Sequence, residues 1–298
     1  MKIILGLLLT ASLFGNQNRP GLFTWFSASE LSHAGGGNLL MMPNSRNVNM
    51  ATTSENRFFS TSFVFYPAGI QAQSASLLYP KKDKIIITSI NHISYGTFKG
   101  YDEDAIQTEN YTSSDTWIKF GYSKASKLFP LRLGLSNQLY FSKLENHNST
   151  SLYSSFGLIW NLDRYKLEIG GMIKDILLIH NSKDGNNNDS PLEFNIGFCK
   201  ELTYLPLKIS INCIITNDLK PKDYFISGVF TVSKSIYLTI GTSTRKYSQN
   251  VEQNLTRTIF GSSGMGVSYN NKDITIGYGL YFYGTGGFSN GLDLSINF

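Results

Sequence analysis

From about residue 57 to the end, the chain repeats one pattern. Segments of roughly ten residues alternate apolar and polar positions, and polar or glycine-containing breaks separate them. About fourteen such segments can be counted. They lie near 57–66, 69–79, 84–98, 113–124, 130–143, 149–162, 164–174, 191–200, 206–216, 223–232, 235–246, 256–269, 273–283 and 288–298. Successive side chains of a strand point to opposite faces, so each segment predicts a ribbon with one oily and one wet face. Leu192, Phe194, Ile196 and Phe198 oppose Glu193, Asn195 and Gly197, and Ile274, Ile276, Tyr278 and Leu280 oppose Thr275, Gly277 and Gly279.

The last segment is the clearest. Phe288, Leu292, Leu294, Ile296 and Phe298 share one face, Ser289, Asp293, Ser295 and Asn297 the other, and the sequence stops on an aromatic residue. This ending matches the assembly signal of outer-membrane β-barrels, with Leu292, Leu294, Ile296 and Phe298 expected to carry it. Connection lengths sort by parity in the same sense. Alternate breaks such as Pro80–Asp83, Asp163 and Ser233-Lys234 are short. The three longest, Lys99–Thr112, Asp175–Ser190 and Tyr247–Leu255, all fall on the other parity. Transmembrane barrels have short periplasmic turns and longer external loops. The expectation is an all-β, antiparallel transmembrane barrel of about fourteen strands over 57–298, in the bacterial outer membrane.

Residues 1–15 carry one early lysine and then an apolar run too short to span a bilayer, which predicts a secretory signal peptide. Residues 16–56 do not alternate. They are rich in Ser, Asn, Gly and Met, yet they hold Leu22, Phe23, Trp25, Phe26 and Leu39–Met42. That apolar content is high for a solvated periplasmic linker and favours a segment folded into the lumen as a plug.

Composition narrows the function classes. Only 16% of residues are charged and 13% are aromatic, which suits strands that face lipid on one side. The net charge of +5 is mild and its cations are scattered, which argues against nucleic acid as a partner. Cys199 and Cys213 are assigned to opposite faces, inward and outward, so no disulfide is expected. His33, His92, His147 and His180 stand in separate segments without metal spacing, and no nucleophile elbow or phosphate loop is present. No catalytic residue, cofactor or metal is therefore assigned. Asp184–Glu193 superficially resembles a calcium loop, but Asp189 replaces its glycine and Asn195 its final glutamate. Inward positions include Lys119, Arg132, Lys166, Glu168, Lys174, Glu193 and Lys208, which predicts a charged lumen. Tyr66, Tyr79, Tyr122, Trp160, Tyr224 and Phe298 fall near segment ends, as interfacial girdles do.

The passage Ile90–Glu103, with Tyr95-Gly-Thr-Phe98 and Asp102-Glu103, resembles the PorV/PorQ family of type IX secretion. The likeness continues through Asp115–Tyr122, Leu131–Gln138, Phe141–Glu145, Ser151–Leu158 and Gly264–Tyr269, and it leans towards PorQ. It departs where the family carries an Asn-Pro-Ala-type motif, since this chain reads Met42-Pro-Asn-Ser-Arg46. The resemblance implies a fourteen-stranded barrel related to the FadL channel. It also implies a non-enzymatic anchor or adaptor, with outer-membrane lipid and other surface-attachment proteins as partners. The external loop at Tyr101, Asp102, Glu103 and Asp104 is the candidate docking site. The alternative is a FadL-like channel for a hydrophobic small molecule, which would need an apolar interior beside the plug and a kink or opening in the wall.

Overall fold

The computed structural model describes residues 24–41, 43–54, 56–102, 104–144, 147–182, 192–216, 221–249, 259–284 and 287–298. The expected signal peptide at 1–15, residues 16–23 and most of the calcium-like stretch lie outside the described residues.

Fourteen antiparallel strands close into one barrel, each paired with its neighbours in sequence. They are β1 Phe58–Phe65, β2 Gln71–Lys81, β3 Lys84–Phe98, β4 Tyr111–Ala125, β5 Leu131–Leu144, β6 His147–Leu162 and β7 Leu167–Ser182. The second half comprises β8 Glu193–Glu201, β9 Leu207–Ile215, β10 Pro221–Thr231, β11 Ile236–Ser243, β12 Ser263–Asn270, β13 Ile274–Phe282 and β14 Phe288–Asn297. Closure comes from β1 against β14, from Phe58↔Asn297 to Phe65↔Asn290, so no sheet edge is left unpaired. Strands β3 to β7 are 14–16 residues long and the later ones 8–11. The β3–β7 arc therefore stands taller at the long-loop end.

The alternation resolves as expected. Phe288, Leu292, Leu294, Ile296 and Phe298 are all exposed on the outer face, where Phe63, Ile86, Phe120, Phe156 and Ile240 join them. The inner face is built of small polar residues: Ser60, Ser62, Ser74, Ser76, Asn91, Ser136, Asn195 and Asn212 are all buried. Water is absent from hydrocarbon, so a closed barrel with its oily face outward satisfies every backbone group internally. Cys199 is buried and Cys213 half-buried, and both are free thiols.

Four expectations are corrected. The strand predicted to end at Lys174 continues to Ser182. Ser154 pairs with Ile176 and Phe156 with Ile173, so Lys174 and Asp175 together oppose Ser155 in a bulge that breaks the alternation. Strand β12 begins at Ser263 rather than near 256. Lys166 is not inside the barrel. It occupies a left-handed position (φ 47°) in the β6–β7 turn and pairs with Glu201 at 3.0 Å on the rim. Tyr66 is not an interfacial girdle residue, because its hydroxyl donates to the Trp25 carbonyl (2.6 Å) and accepts from the Trp25 amide (2.9 Å).

Candidate functional site: the barrel lumen

Residues 24–54 lie against lumen-facing positions around the barrel. Their one helix, α1 (Ala28–Ser32), starts at Ser27, whose hydroxyl accepts from the Glu30 amide at 3.1 Å. The barrel supplies the rest of the cap. Asp293 of β14 accepts from the Ala28 amide at 2.7 Å and the Ser29 amide at 2.9 Å. A helix start leaves such amides without partners, and a carboxylate is their strongest acceptor. The wall beside α1 is glycine for lack of space. A Cβ on Gly264 would sit 2.0 Å from the Leu31 carbonyl oxygen, and one on Gly279 2.1 Å from that of Ala28.

Glu30 is fully buried, and its carboxylate accepts three backbone amides, Phe26 (2.7 Å), Arg46 (2.8 Å) and Asn47 (3.1 Å). It therefore folds 24–30 and 46–47 around one point. Burial pushes its carboxyl above the ordinary value, and the amides oppose that rise. His33 is held below the ordinary histidine range by burial, while its Nδ1 bonds the Ser29 carbonyl at 2.7 Å.

The β7 bulge brings its two successive side chains onto this segment. Asp175, in left-handed backbone (φ 55°), pairs with Arg46 at 2.7 Å, and Lys174 Nζ donates to Asn47 Oδ1 at 2.5 Å. Lys119 is buried near them and donates to the Ser45 carbonyl at 3.4 Å. Farther round, Asn49 Nδ2 donates to the wall carbonyls of Leu158 and Gly171, each at 3.1 Å. The stretch compared with the Asn-Pro-Ala motif supplies Asn44 and Arg46, but the asparagine that grips the β6–β7 wall is Asn49.

Above this polar layer, towards the long loops, the lumen is aromatic. Trp117, Tyr140 and Tyr153 come from adjacent strands and pack in series, with ring centroids 4.9 and 6.3 Å apart. Phe26 meets Trp117 edge-on at 5.1 Å, Trp25 meets Tyr281 at 4.4 Å, and Arg46 lies over the Trp117 ring at 5.4 Å. Val64, Ala72 and Ile93 complete this cluster. Towards the short turns two cavities flank residues 39–41. One, of about 160 Å³, lies under α1 beside Ser29, His33, Thr239 and Asp293. The other, of about 310 Å³, lies beside Met41, Glu168, Cys199 and Lys208. The wall is also irregular at two places, with register shifts in β3 at Ser94/Gly96 and in the β6–β7 pair.

The predicted inward charges Lys119, Lys174, Glu168 and Arg132 face the interior, but Glu30, Arg46, Asp175 and Asp293 were not singled out. The first had a legible signal, because Ser27-x-x-Glu30 is the spacing of a capping box. In the predicted docking loop Tyr101 and Asp104 are exposed, and Asp102 Oδ1 is occupied locally by the amides of Asp104 and Ile106. Glu103 lies outside the described residues. The terminal set Leu292, Leu294, Ile296 and Phe298 lies on the lipid face, away from the lumen. Among the described residues no His, Cys, Asp and Glu cluster could hold a metal.

No known protein-family model matches the chain, and neither does any curated protein. Solved structures do. The Pseudomonas putida toluene transporter TodX aligns over 92% of this chain and 98% of its own, with a TM-score of 0.58 and 12% identity. A deltaS2S3 mutant described as a monoaromatic hydrocarbon channel aligns over 92% and 99%, with a TM-score of 0.56 and 12% identity. A Pseudomonas aeruginosa FadL homologue aligns more loosely, with a TM-score of 0.48 and 10% identity over 92% and 98%. At these identities the likeness concerns the fold.

Proposed function

We propose that this closed fourteen-stranded barrel, which shares the fold of the TodX structure and fits the bacterial outer membrane, is a channel for hydrophobic small molecules and that residues 24–54 act as a plug in its path. The observation that carries this reading is the aromatic arc Trp117–Tyr140–Tyr153, buried inside the barrel against Trp25 and Phe26. A lumen that only passed water and ions would have no use for contiguous ring faces there. The arc is an apolar interior beside the amino-terminal segment, and bulges in β3 and β7 make the wall irregular. An apolar interior is what a channel of this kind needs and an anchor does not.

The path is amphipathic by layers. A ligand entering from the long loops meets rings first, then the charged layer of Arg46, Lys119, Lys174 and Asp175, then the hydroxyl-lined cavity under α1. The anchor role that the type IX resemblance implies gains nothing from these comparisons and rests on that resemblance, with the exposed Tyr101, Asp102 and Asp104 as its docking candidates.

The protein has three tryptophans, and only Trp160 is on the outer face. In a Trp160→Phe protein all indole emission comes from Trp25 and Trp117. Bromobenzene should quench that emission saturably in detergent solution. Quenching that rises linearly to solubility, as it does for free tryptophan, would refute lumenal binding.

A further inference from the structure

The short-turn rim carries a feature that a channel does not require. Two of its turns, Ser126–Pro130 between β4 and β5 and Leu202–Pro206 between β8 and β9, have the same construction. In each the first residue's amide bonds the carbonyl of the strand's first residue (Ser126 to Leu131, 2.7 Å; Leu202 to Leu207, 3.0 Å). In each the proline carbonyl accepts an amide from the adjoining strand (Asn161, 2.9 Å; Thr231, 2.8 Å). Both turns end as an apolar pair followed by proline, and both leave that pair exposed. Leu128 and Phe129 are 86% and 68% exposed, Tyr204 and Leu205 96% and 54%. Tyr165, in the turn between them, is 57% exposed.

Charge on this arc is mainly positive, with Asp163 and Glu201 as its rim carboxylates. Lys124, Lys127 and Arg164 are exposed, and among the described residues no carboxylate lies within ion-pair distance of them. Glu201 is already shared by Lys166 (3.0 Å) and Lys208 (3.7 Å). The neighbouring β2–β3 turn adds Lys81, Lys82 and Lys84 around a single Asp83. The arc is continuous with the oily outer face, since Leu133, Leu158 and Trp160 lie just within it.

We propose that this β4–β9 arc of the rim binds the anionic phospholipids of the leaflet it borders. Lys127 and Arg164 meet the phosphates, and Leu128, Phe129 and Tyr204 wedge among the upper acyl carbons. Apolar tips beside unpaired cations match the boundary between hydrocarbon and a negative headgroup layer, as basic and aromatic residues do at other membrane surfaces. A protein partner would be met by a broader surface than three protruding turn tips.

Trp160 is a built-in reporter, since it is outward-facing two residues from the β6–β7 turn. The full chain is reconstituted in phosphatidylcholine vesicles doped with dibrominated phosphatidylglycerol or, separately, dibrominated phosphatidylcholine. Bromine quenches nearby indole, and Trp160→Phe isolates the Trp160 component. The anionic lipid should quench that component several-fold more effectively per mole. Lys127→Ser/Arg164→Ser should bring the ratio towards one, each lost cation lowering it by up to about five-fold. High salt should do the same to the unmutated protein, which tests the idea even if the double variant does not fold. Lys272→Ser, in the β12–β13 turn across the barrel, should leave the ratio unchanged. Equal quenching by the two lipids, a preference that survives the double variant, or an equal loss in Lys272→Ser would each overturn the proposal.

Discussion

Adding one methyl group to the inner wall should unseat α1 without disturbing the barrel. In Gly264→Ala the new Cβ would stand 2.0 Å from the Leu31 carbonyl oxygen and 2.8 Å from that of Ser32. Ordinary contact needs about 3.4 Å, so the helix backbone must retreat by more than 1 Å, because a β-ladder cannot yield as easily. Retreat stretches the two Asp293–amide bonds, now 2.7 and 2.9 Å. Overpacking of this kind costs ~1–3 kcal/mol, and each hydrogen bond to a charged group contributes ~1.5–3 kcal/mol. A loss of about 3 kcal/mol raises the population with α1 displaced by roughly a hundred-fold. Amide hydrogen exchange of residues 24–34 reads this directly and should accelerate by that order, while amides of β12 and β13 keep their protection. Gly277→Ala is the matched control. It faces the same lumen, but its Cβ would find Asp293 Cβ at 3.5 Å, an ordinary contact, so exchange should not change. Equal exchange in Gly264→Ala and Gly277→Ala, with both barrels folded, would refute the close packing of α1 on this wall.

Three further outcomes are expected. Arg46→Ala leaves Asp175 buried without its cation, which costs ~3–5 kcal/mol and should deprotect residues 44–50; adding Asp175→Asn should recover part of the loss, as a double-mutant cycle would register. Asp293→Ala should free the α1 amides and accelerate exchange at Ala28 and Ser29 more than at any β14 amide. His33 has a pKa depressed below its ordinary 6.5, so its contribution to seating is complete above that value and is lost as pH falls through the depressed one. Glu30 works in the opposite sense, strengthening the seat as pH falls through its raised pKa. In His33→Asn the acid-induced loosening of residues 28–37 should therefore vanish and leave only the strengthening, as exchange measured across pH 4 to 8 would show.

The barrel was legible because its physics is periodic. A two-residue repeat fixes which face of β8, β9, β13 and β14 meets lipid, and the length sorting of connections fixes which end is which. Legibility failed where the period failed. In β7 the bulge at Lys174-Asp175 turns two neighbours to the same side, so the alternation ends eight residues before the strand does. The lumen was half legible. Inward lysines could be read from parity, but their partners, Ser45 and Asn47, lie in a stretch with no period, placed by contacts that only the closed cylinder brings together. Tyr66 shows the same limit, since nothing local distinguishes a girdle tyrosine from one bonded to Trp25 across 41 residues.

The most direct test of the channel reading is uptake across an outer membrane. Cells lacking their own hydrocarbon channels, with and without this chain, are given a labelled monoaromatic hydrocarbon below saturation. The chain should raise the initial rate several-fold for the hydrocarbon and not for a sugar of similar size, and Tyr153→Lys, which sets a charge among the rings, should abolish the gain. Hydrocarbon entry at the same rate in both strains, with the barrel folded and present in the membrane, would contradict it.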